Sequence, residues 1–293
     1  MDRLDDAARS AVDALVSDAG RADGVTPLSE QSRLAVHGRS GHEPGHVLAY
    51  AAAGTGSAGE PSLAGYAQVD DRDAELVVAP AWRRQGVGSL LLDALPPEAR
   101  VWAHGDQPAA EAFAAARNLE VARELFVLGR RFDEHPPRGE VVLTAGLVAR
   151  PFRPGQDEAE WLRVNALAFA HHPEQGRLTR ADLDARMGES WFDPEGLLLV
   201  VPQDDPQRVA AFHWTKVRPE DGKGEVYVVG VDPAYQGRGL GRPLTLLGLE
   251  HLRAVGVDDV ILYVDGDNPA ALRVYRGLGF TTRSVDRMYA ARR

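Results

Sequence analysis

The stretch "VDPAYQGRGLGRPL", residues 231–244, runs from a β-branched strand into a turn with three glycines. An earlier stretch, "VVAPAWRRQGVGSLLLDAL" (77–95), does nearly the same. Pro80 registers with Pro233, Gly86 with Gly239 and Gly88 with Gly241, at one constant offset of 153 residues. A repeat of that length is a duplicated domain, not a solenoid unit. Strand, glycine turn and helix start together place several backbone N–H groups where the helix dipole favours an anion. Glycine also lets the backbone come close to such a group. Each turn therefore reads as a pyrophosphate cradle. Two other cradles fail on their spacing. A G-x-G-x-x-G fingerprint meets Arg242 or Leu244 where its last glycine belongs, and a P-loop needs a Lys-Ser/Thr pair that "GRPL" lacks.

Working outward, the first half reads as a helix over Asp5–Asp18 and then strands at 46–54, 62–70 and 74–80. A helix at 87–95, a strand at 100–105, a helix at 108–117 and a last strand near 125–132 follow. The second half replays this order. A strand at 146–154 and a helix at 157–170 lead to strands at 196–201, 209–217 and 225–231. A helix at 244–256, a strand at 260–265, a helix at 269–279 and a strand at 285–290 complete it. The first half lacks an obvious opening strand before its first helix. The stretch "DEHPPRGE" (133–140) has paired prolines and no periodicity, so 134–140 is the expected linker between domains at 1–133 and 141–293. Alternating strands and helices in both halves imply an α/β layered fold.

The 293 residues suit two domains of ordinary size. With 44% hydrophobic and 26% charged residues the composition is that of a soluble globular protein. A formal charge of −10 argues against a nucleic-acid partner, because a phosphate backbone wants a basic stripe. There is no cysteine, which excludes disulfides and thiolate metal sites. The opening "MDRLDDAARSAVDALV" is acidic and amphipathic rather than a signal peptide, and no run approaches the roughly 20 apolar residues of a membrane span. The expectation is a cytoplasmic, monomeric protein with no membrane partner and no metal.

The turn and its flanks resemble motif A of the GNAT acetyltransferases, R/Q-x-x-G-x-G/A, at Gln236–Gly241 and again at Arg83–Gly88. Downstream, "YVDGDNPAALRVYRGLGF" (263–280) resembles that family's later acetyl-CoA motif, at Asn268, Tyr275, Gly279 and Phe280. The resemblance covers nearly the whole chain and implies tandem GNAT (acyl-CoA N-acyltransferase) domains, each a mixed central sheet flanked by helices. It implies that acetyl-CoA is the acetyl donor. Its contacts would fall at Val229, Gly230 and Val231, at Gln236, Gly237, Arg238, Gly239, Leu240, Gly241 and Arg242, and at Asn268, Pro269, Ala270, Ala271, Leu272 and Arg273. In the first half the same contacts would fall at Leu76, Val77 and Val78 and at Arg83, Arg84, Gln85, Gly86, Val87 and Gly88.

Acetyl transfer to an amine needs a base for the ammonium and an acid for the departing thiolate. Glu225 begins the central strand of the second half, sharing a face with Tyr227 and Val229 by the period of two, and is a candidate base. Tyr275 is a candidate acid. The 153-residue register sets Arg72 opposite Glu225, and aligning Pro108 with Pro269 sets Ala114 opposite Tyr275. The first half therefore reads as non-catalytic, with Asp71, Asp73 and Glu75 near enough for a small register error to hide a base.

The stretches "AFAHHPEQGRLT" (168–179), "ESWFDPEG" (189–196) and "FHWTKV" (212–217) resemble a two-domain actinobacterial branch of that family. Its members acetylate the cysteinyl amine of cysteinyl-glucosaminyl-inositol, the last step in making a low-molecular-weight thiol. This resemblance implies a small-molecule amine acceptor held by Glu30, Glu174, Lys216, Glu225 and Tyr263. On the residues alone, Glu30 also reads as a helix-start carboxylate, and Glu225 and Lys216 as solvated strand ends. Another amine or a protein N-terminus as acceptor, and a sensor that binds acetyl-CoA without turnover, remain the alternatives.

Overall fold

Ala8, Val12, Leu15 and Ala19 recur at helical spacing and form the buried stripe of α1 (Asp6–Asp23). Asp5 caps its start by accepting the Ala8 amide, and Gly24 ends it in the left-handed region. The helix passes its expected end at Asp18 because Ala19 continues the buried stripe and the chain turns only at Gly24. These observations come from a computed structural model that describes residues 3–39, 43–51, 62–134, 141–171, 175–218 and 221–292. After α1 comes the short α2 (Glu30–Val36), capped by Ser29. Then follow β1 (Gly45–Tyr50), β2 (Leu63–Asp70), β3 (Asp73–Val78), α3 (Val87–Asp93), β4 (Arg100–Ala103), α4 (Pro108–Ala116) and β5 (Leu119–Arg131).

The second half opens with β6 (Leu147–Pro151), α5 (Glu158–Ala168) and α6 (Arg180–Met187). It continues with β7 (Leu197–Pro202), β8 (Ala211–Val217), β9 (Gly224–Val231) and α7 (Gly241–Ala254). It ends with β10 (Asp259–Asp265), α8 (Pro269–Gly277) and β11 (Thr281–Ala291). The order repeats, and among the described residues the first half has no counterpart of β6. Among them, too, no helix is long and apolar enough to cross a membrane.

Two compact units result, and they are not the two halves of the sequence. One is Met1–Leu125 with Ser284–Arg293, the other Phe126–Arg283. The boundary falls inside β5, ahead of the expected linker, of which residues 135–140 lie outside the described residues. The first unit has the strand order β1-β2-β3-β4 followed by the end of β11, which pairs antiparallel with β4 at Met288↔Trp102. The second has β6-β7-β8-β9-β10 followed by the end of β5. In each, the strand pair leading to the glycine turn is antiparallel and the next pair, β3–β4 or β9–β10, is parallel. The exchange of terminal strands has an apolar cause in the second unit. Leu128 and Phe132 are buried in one cluster with Leu246, Leu249 and Leu252 of α7 and Leu272 of α8. The other face of this sheet carries Trp161 of α5, Leu183 of α6, Trp191 and Trp214.

The two central hairpins differ by one residue. Counting back from Val78 and Val231, Gln68↔Glu75 and Trp214↔Val228 are in step. The next pairs are Val69↔Ala74 and Thr215↔Val226, so β9 carries Tyr227 as an extra residue, a β-bulge. Two expectations are corrected by it. Glu225 corresponds to Asp73, not Arg72. The period of two also breaks: Tyr227 and Val228 both pack on the tryptophan face, whereas Val226 and Val229 pack on the α7 face.

Because Leu128 completes the core of the second unit, Leu128→Ala should destabilise the protein by about 2–5 kcal/mol. Urea unfolding checks this, and a loss under about 1 kcal/mol would show that β5 is not integral to that core.

Candidate active site

The two glycine turns share one backbone conformation. Gly237 and Gly239 have φ of 76° and 74°, and in the first turn Arg84 and Gly86 have 61° and 87°. Arg84 thus occupies the left-handed region without being glycine, at a cost of roughly 1–2 kcal/mol. The first motif residue ties each turn back to its strand: Gln236 Nε2 donates to the Val231 carbonyl at 3.3 Å and Arg83 Nε to the Val78 carbonyl at 3.2 Å. The amides of Gly237, Arg238, Gly239 and Leu240 have no backbone carbonyl partner among the described residues, nor do those of Arg84, Gln85, Gly86 and Val87. Unclaimed donors beside the start of α7 or α3 suit a pyrophosphate.

Beside the second turn, β9 and β10 pair only through Val260↔Gly224, Ile261↔Glu225 and Leu262↔Val226. Beyond Val226 the strands part, freeing the β9 edge that carries Val229, Gly230 and Val231. Glu225 is 8% exposed and lies directly across from Lys216 of β8, itself 6% exposed. Lys216 Nζ sits 4.5 Å from the Trp191 ring centroid and 5.2 Å from that of Tyr227, which spreads its charge over two aromatic faces. Arg186 of α6 donates to the Tyr227 hydroxyl at 2.8 Å.

Reading the sequence missed Trp191 and Tyr227 as neighbours of Lys216, and Arg186 as the partner of Tyr227. One signal was present: Thr179 and Asp182 form a capping box that announces α6 and places Arg186. Tyr275 lies on α8 and packs edge-on against Phe280, with ring centroids 5.9 Å apart. Burial pushes its phenol up to about 12, so it is protonated at neutral pH. Asn268 accepts the Ala271 amide and so caps α8. Tyr263 of β10 is exposed, and Glu30 is the first residue of α2 in the first unit. Glu174 lies outside the described residues.

The first unit keeps the turn and changes what surrounds it. Ala114 stands on α4 where α8 has Tyr275. Asp73, the counterpart of Glu225, is ion-paired with Arg100 of β4. Near the point where β3 and β4 part, His104 bridges Asp286 (Nδ1 to Oδ2, 2.9 Å) and Glu75 (Nε2 to Oε1, 3.3 Å). Asp286 also accepts the Gly105 amide, and Glu75 the Ser29 amide just ahead of Glu30. These three charged groups are almost fully buried and satisfy one another. They hold the α1–α2 connection in place.

Residues 159–280 match the Acetyltransferase (GNAT) family. The chain is 47% identical over 301 residues to a mycothiol acetyltransferase of Streptomyces griseus, covering 99% of this chain and 94% of that one. It is 50% identical over 291 residues to a mycothiol acetyltransferase of Cellulomonas flavigena, covering 92% and 81%. Among solved structures it is similar to a GCN5-related N-acetyltransferase from Sphaerobacter thermophilus, with a TM-score of 0.64, 24% identity and coverage of 98% and 93%. It is also similar to a tandem GNAT protein from the clavulanic acid biosynthesis pathway, with a TM-score of 0.69, 17% identity and coverage of 97% and 94%.

Burial alone would lower the His104 pKa, but the hydrogen bonds and charges of Asp286 and Glu75 outweigh it and push it up to about 10. The unfolded ring titrates near 6.5. Between those values the folded chain keeps a proton that the unfolded chain has lost. The stabilisation is therefore complete below about pH 6.5 and is lost as pH rises towards about 10. The urea midpoint should fall more steeply between about pH 7 and 10 in the wild type than in His104→Gln, and parallel falls would contradict this.

Proposed function

The chain belongs to the mycothiol acetyltransferase family of tandem GNAT proteins, and from that membership we propose that it acetylates the cysteinyl amine of cysteinyl-glucosaminyl-inositol. The products are mycothiol and CoA. The observation that carries this reading is that one unit combines a cradle of unclaimed amides with a buried carboxylate, Glu225, and a half-buried protonated phenol, Tyr275.

Acetyl-CoA supplies the activated acetyl group. The amides from Gly237 to Leu240 and the start of α7 bind its pyrophosphate. Val229, Gly230 and Val231 offer the open β9 edge to the chain that leads to the thioester. Asn268 starts α8 and thereby sets the place of Tyr275. Glu225 takes a proton from the acceptor ammonium, directly or through a water, and leaves a neutral amine as nucleophile. An amide of β9 within Val228–Val231, beyond its paired register with β10, is the donor for the developing oxyanion. Tyr275 gives its proton to the departing thiolate and is reprotonated by the second proton that the adduct nitrogen loses. The ammonium thus gives up two protons, one to Glu225 and then solvent and one by way of Tyr275 to CoA, which leaves as a thiol.

Within the second unit Lys216, Glu225 and Tyr263 hold the acceptor, the carboxylate taking the ammonium. Lys216 donates to hydroxyl oxygens. The first repeat keeps a cradle at Arg83–Gly88, along the strand end Leu76–Val78, but no base and acid for transfer. Asp73 is committed to Arg100, and Ala114 has no proton to give.

Free CoA released from acetyl-CoA should appear with cysteinyl-glucosaminyl-inositol and not with glucosaminyl-inositol lacking the cysteine. Equal release with both, or preference for a simple polyamine, would overturn the acceptor.

A further inference from the structure

Each repeat ties its glycine turn to its own first helix by an arginine–aspartate pair, and the two pairs run in opposite directions. In the first unit the arginine is on the turn. Arg83 Nη1 and Nη2 donate to the two carboxylate oxygens of Asp23, the last residue of α1, at 2.7 and 2.8 Å. In the second unit the carboxylate is on the turn. Asp232 follows β9, and its Oδ2 accepts Nη2 of Arg163 from α5 at 2.9 Å. At the same 153-residue offset, Ala79 stands in place of Asp232 and Gln236 in place of Arg83. Each turn therefore has one of the two charged partners, never both, and the helix supplies the other.

The second tether is built more deeply than a surface ion pair. Asp232 is 3% exposed, and its Oδ1 accepts the Ala234 amide at 2.9 Å, which folds Pro233–Tyr235 into a 3-10 turn. Arg163 is itself held by Glu160, Nε to Oε2 at 2.8 Å and Nη2 to Oε1 at 2.7 Å. Glu160 in turn accepts the Val209 amide, just ahead of β8, at 3.1 Å. A buried carboxylate is costly unless it is paired and hydrogen-bonded, and here both oxygens are engaged. The chain of bonds fixes the start of the turn against α5, whereas Gln236 alone reaches only its own strand.

We propose that Arg163 and Asp232 are positioning residues for the coenzyme. Without touching the pyrophosphate, they hold the segment from Pro233 to Gly239 so that the amides of Gly237–Leu240 converge on one point. This deepens, and rests on, the reading that the second turn binds acetyl-CoA.

The test titrates coenzyme A into the full-length chain by calorimetry and measures KM and kcat in parallel. Arg163→Met should weaken coenzyme A binding and raise the KM for acetyl-CoA by about tenfold, with kcat and acceptor KM within about twofold of wild type. If Arg163→Met does not fold, Asp232→Asn keeps the shape and the Ala234 bond while removing the charge, and the same tenfold loss is expected. A lower melting temperature with coenzyme affinity unchanged in either folded variant overturns the proposal and leaves a purely structural ion pair. Wild-type chain that binds coenzyme A but acetylates no cysteinyl acceptor sinks the acceptor reading alone, because the affinity comparison still stands. Wild-type chain that does not bind coenzyme A overturns both.

Discussion

Tyr227 is the residue that β9 has and β3 lacks, and much of the second unit's chemistry follows from its insertion. The extra residue turns two consecutive side chains, Tyr227 and Val228, onto the tryptophan face. It brings the Tyr227 ring beside Lys216 and its hydroxyl to Arg186. It also sets Glu225 across from Lys216, so two groups of opposite charge share one buried face of the β8–β9 hairpin. Without the bulge, the equivalent strand of the first unit sets Asp73 across from Asp70. Two carboxylates in that relation repel, and Arg100 neutralises one of them. A one-residue difference in register thus separates a carboxylate held opposite a lysine from one consumed by an ion pair.

Both units bury charge, and the uses differ. In the first, Glu75, His104 and Asp286 satisfy one another and tie the α1–α2 connection to β3 and to the loop after β4. Buried polar groups cost free energy unless they are paired, and a network this complete favours one arrangement of the loop. In the second, Glu225 stands in the last paired stretch of β9 and β10, and Tyr275 of α8 packs on the same core as Val226 and Val229. The turn conformation is common to both units, even to the point of forcing Arg84 into a backbone region that favours glycine. Duplication kept the cradle while the surrounding side chains diverged.

The repeat, the turns and most strands were legible because they depend on local constraints. A left-handed φ at Gly86, Gly237 and Gly239 calls for glycine at a fixed spacing, and the buried strands carry continuous apolar runs. Glu225 could be singled out because it begins such a strand, whereas Tyr275 and Lys216 were reached through the family resemblance. The short α2 escaped because seven residues show too little periodicity, and α6 escaped although its Thr179–Asp182 box was in plain view. The bulge was invisible to counting by twos, since nothing in "EVYVVGV" marks Tyr227 as an extra residue. Pairing of β11 with β4, and of the end of β5 beside β10, is long-range and leaves no local trace. The tether of Arg163 to Asp232 spans 69 positions and was equally hidden.

On the proposed reading, proton handling for acetyl transfer resides in the second repeat alone. The most direct measurement is kcat for a single protein carrying Glu225→Gln and Tyr275→Phe together, with its fold verified by circular dichroism and its coenzyme A affinity measured. The expected result is a fall of about 10³-fold or more, with coenzyme binding retained. A kcat within about tenfold of wild type would contradict this and move the chemistry to other groups.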